Sequence, residues 1–570
     1  MGKKIISLSM LLFFVTATAQ EIKKESMFEG VLNDQPIQIY IQSFENECTG
    51  ATYYQSIVRF LDHEKSEKKW RKFQIFANNN NGYILIDDAW NSGRFSNYIF
   101  IDQDKSNLKG FIKNEEFGEK PIQLERNIEI KDFSEYRTQM KKFDDINDSP
   151  EVSFKDAVIR GIAPDRGLYF PESITPLPDS FFEGIENLSN QEIAFNAIHQ
   201  FVGDEIPNEK LREILANVLD FDFPVVEIEE NIATLELFHG PTMAFKDVGA
   251  RFMANCLGYF SEDTINEVTV LVATSGDTGG AVANGFLGVD GVKVVILYPS
   301  GKVSDIQERQ LTTLGQNITA LEVDGTFDDC QKMVKTAFLD EALLSKMQLT
   351  SANSINVARW LPQLFYFLFA YKQSKSQGKE IVFSIPSGNF GNVCAGMVAQ
   401  KLGMPVKHFI AATNVNDTVP EFMKTGVYNP KPSIATISNA MDVGDPSNFI
   451  RIRHLFDDNL EKLKQNLSSF TFSDEETKEA MKSIYRDSKY VADPHGAIGY
   501  LGLKKHQISN PDTYGIFLET AHPVKFLDVV EETIPKKLAI PSQIQKVMGK
   551  KKESIKIATY SQLKDFLLID

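Results

Sequence analysis

The chain has 570 residues, so more than one domain is expected. Its 42% hydrophobic and 24% charged side chains are those of an ordinary folded protein rather than of a disordered or fibrous one. The 60 basic and 77 acidic side chains leave a net charge of −17, which excludes nonspecific nucleic-acid binding as a reading and favours solubility.

The first segment stands apart. Lys3 and Lys4 precede an apolar run from Ile5 to Val15, and Ala17-Thr18-Ala19 offers a small-residue cleavage site before Gln20. Residues 1–19 therefore read as a signal peptide, too short to span a membrane as a helix. No other stretch is long and apolar enough to span one; LPQLFYFLFAY (361–371) comes nearest and is flanked by polar residues. No membrane is expected for the mature chain.

Residues 20–131 carry short alternating or aromatic-rich runs, QPIQIYIQS, QSIVRFL, KFQIFA, GYILIDD and NYIFID, separated by Asn, Gly and Asp. This spacing predicts a small all-β module, a sandwich or a curved sheet, with no catalytic constellation. Residues 132–149 turn polar and read as a linker, within which lies Met140.

From residue 150 to 570 the pattern becomes strand-helix alternation. IATLELF, VTVLVAT, VKVVILYP, ITALEVDG, IVFSIP, HFIAATN and YGIFLE are apolar runs suited to strands buried on both faces. SDIQERQLTTLG, FDDCQKMVKTAFLDEALL and NVARWLPQLFYFLFAYKQS are helical in pattern. Such alternation predicts an α/β fold with doubly wound, mainly parallel sheets, whose ligands bind at the carboxyl ends of the strands. Cys256, Cys330 and Cys394 sit in apolar stretches and read as core thiols. Cys48, alone in the first third, has no nearby partner for a disulfide, and no Cys/His spacing suggests a metal.

Three motifs carry the chemistry. Lys246 lies in HGPTMAFKDVGARF, directly after a buried-strand pattern and between Phe245 and Asp247, an improbable place for a solvated surface charge. TSGDTGGAVANGF follows VTVLVA and puts the hydroxyls of Thr274, Ser275 and Thr278 at a helix start. PSGNFGNVCAG follows IVFSI and opens a helix through Gly388 and Gly391. Each Gly-rich loop alone is also an ordinary capped βα turn. Together with one buried lysine they fit a pyridoxal 5'-phosphate enzyme, in which the amine holds the cofactor as a Schiff base, one loop cradles its phosphate and the other faces the substrate. Neither loop is a P-loop or a dinucleotide fingerprint, so ATP and NAD lose sequence support. In SANSINVARW, Asn353 and Arg359 flank a polar turn; Arg suits bidentate phosphate contact, while a helix cap and a surface Arg would explain the same residues. In LETAHPVKF, the Thr520 hydroxyl suits a ring nitrogen. His522 reads as a structural residue more than as a base, and His239 and His495 carry the same ambiguity.

HGPTMAFKD, TSGDTGG, VVILYPSGKVS, SANSIN, PSGNFGN, AATNVNDTVP, SNAMDVGDPSN and TAHPVKF occur in this order. From about Met140 to the end, the chain resembles the threonine synthase family of fold type II pyridoxal-phosphate enzymes; nothing in the resemblance covers residues 1–139. It implies two α/β subdomains with the cofactor between them, and conversion of O-phospho-L-homoserine and water to L-threonine and phosphate. It further implies Lys246 as the catalytic, cofactor-bearing lysine. The cofactor phosphate falls to the backbone of Ser387, Gly388, Asn389, Phe390, Gly391 and Asn392, and the pyridine nitrogen to Thr520. Asp277 stands near the cofactor 3'-oxygen, where relatives of the fold carry Asn. The substrate falls to Thr274, Ser275, Thr278, Asn353 and Arg359. The partner is a small molecule, and the enzyme a monomer or homodimer. Two rivals stand beside this reading. One is another fold type II lyase such as a serine/threonine dehydratase, whose lysine sits in SFKxRG instead of AFKDVGAR. The other is an exported binding protein with a degenerate enzyme region. A signal peptide also conflicts with a substrate found in the cytoplasm, a conflict a fusion near Met140 would resolve.

Overall fold

The computed structural model describes residues 22–32, 35–45, 52–60, 71–78, 82–87, 96–102, 107–114, 118–127, 132–134, 152–163, 167–261, 267–338 and 340–569. The signal-peptide reading, Cys48, Met140 and most of the 132–149 linker lie outside them. The chain divides into two compact units, one made of residues 1–151 and 164–167, the other of residues 152–163 and 168–570.

The first unit is a closed barrel of eight strands: β1 (Ile22–Leu32), β2 (Gln35–Glu45), β3 (Thr52–Phe60), β4 (Arg71–Asn78), β5 (Gly82–Asp87), β6 (Ser96–Asp102), β7 (Asn107–Asn114) and β8 (Gly118–Arg126). Each strand pairs antiparallel with the next, and Phe28 to Gly30 of β1 pair with Arg126 to Leu124 of β8. The sequence pattern pointed to a sandwich or a curved sheet. Closure removes both exposed edges and is decided by pairing between the two ends of the module, which period-two alternation does not encode.

The second unit holds two sheets. The larger has the order β17 (Leu467–Thr471), β16 (His408–Thr413), β15 (Ile381–Pro386), β18 (Tyr514–Glu519), β10 (Ile232–Glu236), β9 (Val225–Glu229), parallel throughout except for the β10–β9 edge. The smaller has the order β14 (Gln348–Ser351), β11 (Val268–Ala273), β12 (Val292–Pro299), β13 (Ile318–Val323), β19 (Ile555–Ile557), all parallel. β11, β15 and β18 are buried at every position, as strands covered by helices on both faces must be. This is the fold type II α/β architecture expected.

The apolar segment 361–374 packs against the larger sheet, the Phe367 ring lying edge-on to Phe383 and Phe409. Pro362 has no amide hydrogen to give and clashes with a preceding turn, so the segment splits into a 3-10 turn (Leu361–Gln363) and a helix (Leu364–Ser374). That helix is buried on nearly every face and packs on the helix Gly391–Lys401, which explains its hydrophobicity without a bilayer. Among the described residues no helix is long and apolar enough to cross a membrane. Cys256, Cys330 and Cys394 are free and buried, as expected for core thiols.

The helix Lys246–Ser261 sits against the turn Val357–Trp360 with no room to spare. A Cβ on Gly249 would lie 2.2 Å from the Arg359 carbonyl oxygen, a backbone atom that cannot swing aside. Gly249→Ala should cost about 1–3 kcal/mol, read as a lowered urea midpoint, and should weaken cofactor binding because the same contact places Lys246 and Arg359.

Candidate active site

Three adjacent strands of the larger sheet deliver three functional segments. β15, β18 and β10 run side by side, with Ser384 opposite Phe517 and Glu236 opposite Glu519. Past their carboxyl ends come the loop 387–392, then Thr520, then the segment leading to Lys246, the first residue of its helix. The lysine's backbone is clamped from two directions. The Phe245 N–H donates to the Thr520 carbonyl at 2.8 Å, and Ala244 bridges Ala521. The buried Tyr366 hydroxyl donates to the Phe245 carbonyl. Asp247 faces away, its carboxylate accepting the N–H and the hydroxyl of Thr242.

Two adjacent strands of the smaller sheet supply the opposite wall. β11 leads into Thr274–Gly279 and β14 into Ser351–Arg359, and the Asn353 amide ties these segments by donating to the Ala273 carbonyl at 2.9 Å. A cavity of about 390 Å³ lies between the walls. Lys246, Thr274, Ser275, Thr278, Asn353, Arg359, Gly388, Asn389, Phe390, Gly391, Asn392 and Thr520 all line it. The structure thus brings together every expected site residue except Asp277 and Ser387.

The loop 387–392 presents a row of unpaired backbone donors. No backbone N–H from Gly388 to Asn392 meets an acceptor among the described residues, and all stand at the positive end of the helix Gly391–Lys401. Phe390 is held in the left-handed region, φ 61°, a strained conformation for an aromatic residue and a mark of a functional turn. A Cβ on Gly388 would lie 2.8 Å from the Ala440 carbonyl oxygen, so only glycine fits there. In the second loop the Thr274 hydroxyl oxygen accepts the N–H groups of Gly276 (3.0 Å) and Gly279 (2.8 Å). This folds the loop so that the N–H groups of Ser275, Asp277 and Thr278, which have no acceptor among the described residues, stand at the start of the helix Asp277–Gly285.

Burial sets the charges. Desolvation lowers the Lys246 ammonium from 10.5 to about 8; Asp277 pulls it up, while Lys525 and Arg359 push it down. Burial likewise lowers Arg359 to about 10, so it remains a cation at neutral pH. Its guanidinium gives one hydrogen bond to the Ala352 carbonyl, and its buried Nε has no partner among the described residues. A buried cation with an unused donor on a cavity wall matches an incoming anion.

Two expectations need correction. Asp277 does not line the cavity. Its carboxylate is taken by the fully buried Lys525 ammonium at 2.6 Å and by the Gln307 amide at 2.9 Å. Burial alone would raise that carboxyl, but Lys525 and then Lys246 outweigh it and hold it well below the usual carboxylate range. Ser387 is also turned aside, its N–H donating to the Ala412 carbonyl and its hydroxyl to that of Ile385. The histidines divide. His239 pairs with Glu236, and His522 caps a 3-10 turn by accepting the Val524 N–H. His495 lines the cavity. Sequence reasoning assigned no role to Lys525, Ser354, Asn439 or Asp442, and all but Lys525 line the cavity. Lys525 stood inside the quoted TAHPVKF, but nothing in its neighbours announced burial.

A buried amine beside a loop of unpaired backbone N–H groups, both at strand ends that border one cavity, points to the pyridoxal-phosphate-dependent class, and the Pyridoxal-phosphate dependent enzyme family model matches residues 227–519. Models for the threonine synthase N terminus and C-terminal region match residues 145–218 and 496–567. Threonine synthase of Escherichia coli (strain K12) is 44% identical over 406 residues, covering 71% of this chain and 94% of that protein. The Saccharomyces cerevisiae enzyme is 35% identical over 471 residues, covering 70% and 92%. The crystal structure of the Escherichia coli enzyme superposes with a TM-score of 0.69 at 42% identity, covering 73% of this chain and 97% of that one. The pyridoxal-phosphate-bound threonine synthase of Brucella melitensis gives 0.70 at 30% identity, covering 74% and 97%. The chain belongs to the threonine synthase family. Its reaction is the conversion of O-phospho-L-homoserine and water to L-threonine and phosphate, the last step of threonine biosynthesis.

The lowered Lys246 ammonium has a measurable consequence. Only the unprotonated amine reacts with an aldehyde. Cofactor-free protein should therefore couple to pyridoxal phosphate at a rate that climbs with pH and levels off near 8. A lysine with an ordinary ammonium would keep gaining about tenfold per pH unit well beyond that. Stopped-flow absorbance across the pH range reads the difference.

Proposed function

We propose that the cavity between the sheets is the active site and that its residues act as follows. Pyridoxal phosphate, when bound, supplies the electron sink for carbanions formed at the substrate's α- and β-carbons. The unpartnered N–H groups of Gly388 to Asn392 hold its phosphate, and the Thr520 hydroxyl meets its ring nitrogen. As a neutral hydroxyl, Thr520 would favour the unprotonated form of that nitrogen. Lys246 holds the cofactor's carbonyl carbon and, once freed, moves the proton at the substrate's α-carbon, which an amine titrating near 8 does well close to neutral pH.

The substrate phosphate faces Arg359, Asn353 and the N–H and hydroxyl groups of Ser275 and Thr278, with Thr274 holding that loop in shape. Asp277 acts at a distance, its charge keeping the Lys246 amine from losing more basicity. Phosphate leaves from the γ-carbon and water adds at the β-carbon. The observation that carries this reading is Arg359, a buried guanidinium with an unused donor on the wall of the cavity that Lys246 also lines. A charged hydrogen bond in such a place is worth about 1.5–3 kcal/mol. Arg359→Ala should raise KM for O-phospho-L-homoserine roughly ten- to hundred-fold while the bound-cofactor spectrum stays unchanged. Equal kinetics in variant and wild type would remove Arg359 from the site.

For the organisation of the chain, residues 1–19 form a leader, 20–131 a separate β-module and 132–149 a linker. The enzyme runs from about Met140, joined to the module by fusion or by read-through between adjacent reading frames. The family models begin at residue 145, and the Escherichia coli relative accounts for 71% of the chain, which supports this boundary. A chain beginning at Met140 should fold, bind cofactor and make threonine. Insoluble or inactive protein from it, beside an active full-length chain, would make the barrel part of the enzyme.

A further inference from the structure

The segment Ser438–Val443 forms a strap along the cavity, and the reaction as described gives it no task. Its shape is fixed from three sides. Ala440 and Met441 rest on Gly388, where a Cβ would be 2.8 Å from the Ala440 carbonyl and 2.9 Å from the Met441 Cα. The buried Asn414 amide donates to the Ser438 hydroxyl (3.1 Å) and to the Asp442 carboxylate (2.9 Å), which also accepts the Thr436 hydroxyl (2.7 Å). On the third side is His495. Its Nε2 accepts the Ala440 N–H at 3.3 Å, and its Nδ1 donates to Asp493 at 2.7 Å. Asp493 is fully buried and caps the helix Pro494–Gln507 by accepting the Gly496 N–H at 2.7 Å. The imidazole can rotate neither toward solvent nor toward Lys246 without breaking both bonds.

What this bracing holds in place is Asn439. Its side-chain oxygen is buried in the cavity wall and accepts no hydrogen bond among the described residues, and its amide nitrogen donates none. Leaving such a group unpaired costs roughly the desolvation of an amide, so its partner is expected from the ligand. An amide offers an acceptor and a donor side by side. A phosphate group offers acceptors alone, whereas an α-amino acid carries N–H donors next to carboxylate acceptors.

We propose that Asn439 contacts the amino-acid end of the substrate, and that His495, clamped by Asp493, is the positioning residue that aims it. This rests on the cavity being the active site. Kinetics of the full-length protein with O-phospho-L-homoserine test it, alongside product inhibition by inorganic phosphate. Asn439→Ala should raise KM roughly tenfold, with cofactor affinity and phosphate inhibition unchanged. His495→Phe, which removes the acceptor for the Ala440 N–H, should show the same defect with an unchanged pH profile of kcat. His495→Gln, which keeps an acceptor at that reach, should restore most of the loss. The double variant Asn439→Ala/His495→Phe should be no worse than either single one, because both act through one contact. Multiplying effects in the double variant would overturn the inference, as would a change in phosphate inhibition or a normal KM for Asn439→Ala. If His495→Phe fails to fold, Asn439→Ala and His495→Gln still decide. Absence of turnover in the wild type would instead refute the active-site reading itself.

Discussion

The structure depends on keeping one amine out of water. Lys246 is useful because it is desolvated, and holding it so requires the backbone around it to be fixed. The fold meets that condition through strand order. With β15, β18 and β10 adjacent and parallel, the loop 387–392, Thr520 and Lys246 emerge from neighbouring strand ends, and the Phe245–Thr520 hydrogen bond sets the lysine segment against the threonine segment. The smaller sheet repeats the device with β14 and β11, which carry Arg359 and the Thr274 loop.

Charge around the lysine follows the same logic. Asp277 and Lys525 are both buried, and each is tolerable only because the other lies 2.6 Å away. Their pairing leaves a modest net field at Lys246, in which the pull of Asp277 opposes the push of Lys525 and Arg359. Desolvation therefore wins, and the amine becomes basic near neutral pH. Arg359 is different. Among the described residues no carboxylate pairs with it, so its charge is available to a ligand anion.

Much of this was legible in the sequence, for identifiable reasons. The buried strands of the enzyme unit announce themselves as β-branched runs, and the two loops as glycine clusters at strand ends, because backbone geometry leaves few other residues there. The short edge pieces β9, β14, β17 and β19 carry weaker apolar patterns and went unseen. Asp277 was misplaced because a carboxylate at a helix start looks alike whether it faces a ligand or a buried lysine from a segment some 250 residues away; only tertiary packing brings Lys525 there. Closure of the barrel was hidden for the same reason, resting on contact between its first and last strands. Asn439 lay inside a quoted motif, yet its significance is an unmet hydrogen bond, a property of the folded molecule alone.

The most direct test of the central claim is chemical labelling of the full-length protein. The cofactor-loaded protein is reduced with borohydride, digested, and searched by mass spectrometry for the pyridoxyl group. The label is expected on the peptide carrying Lys246, and is expected to be lost in Lys246→Ala protein that remains folded. A label on Lys525 or any other lysine in active wild-type protein, or full turnover by the Lys246→Ala variant, would contradict that claim.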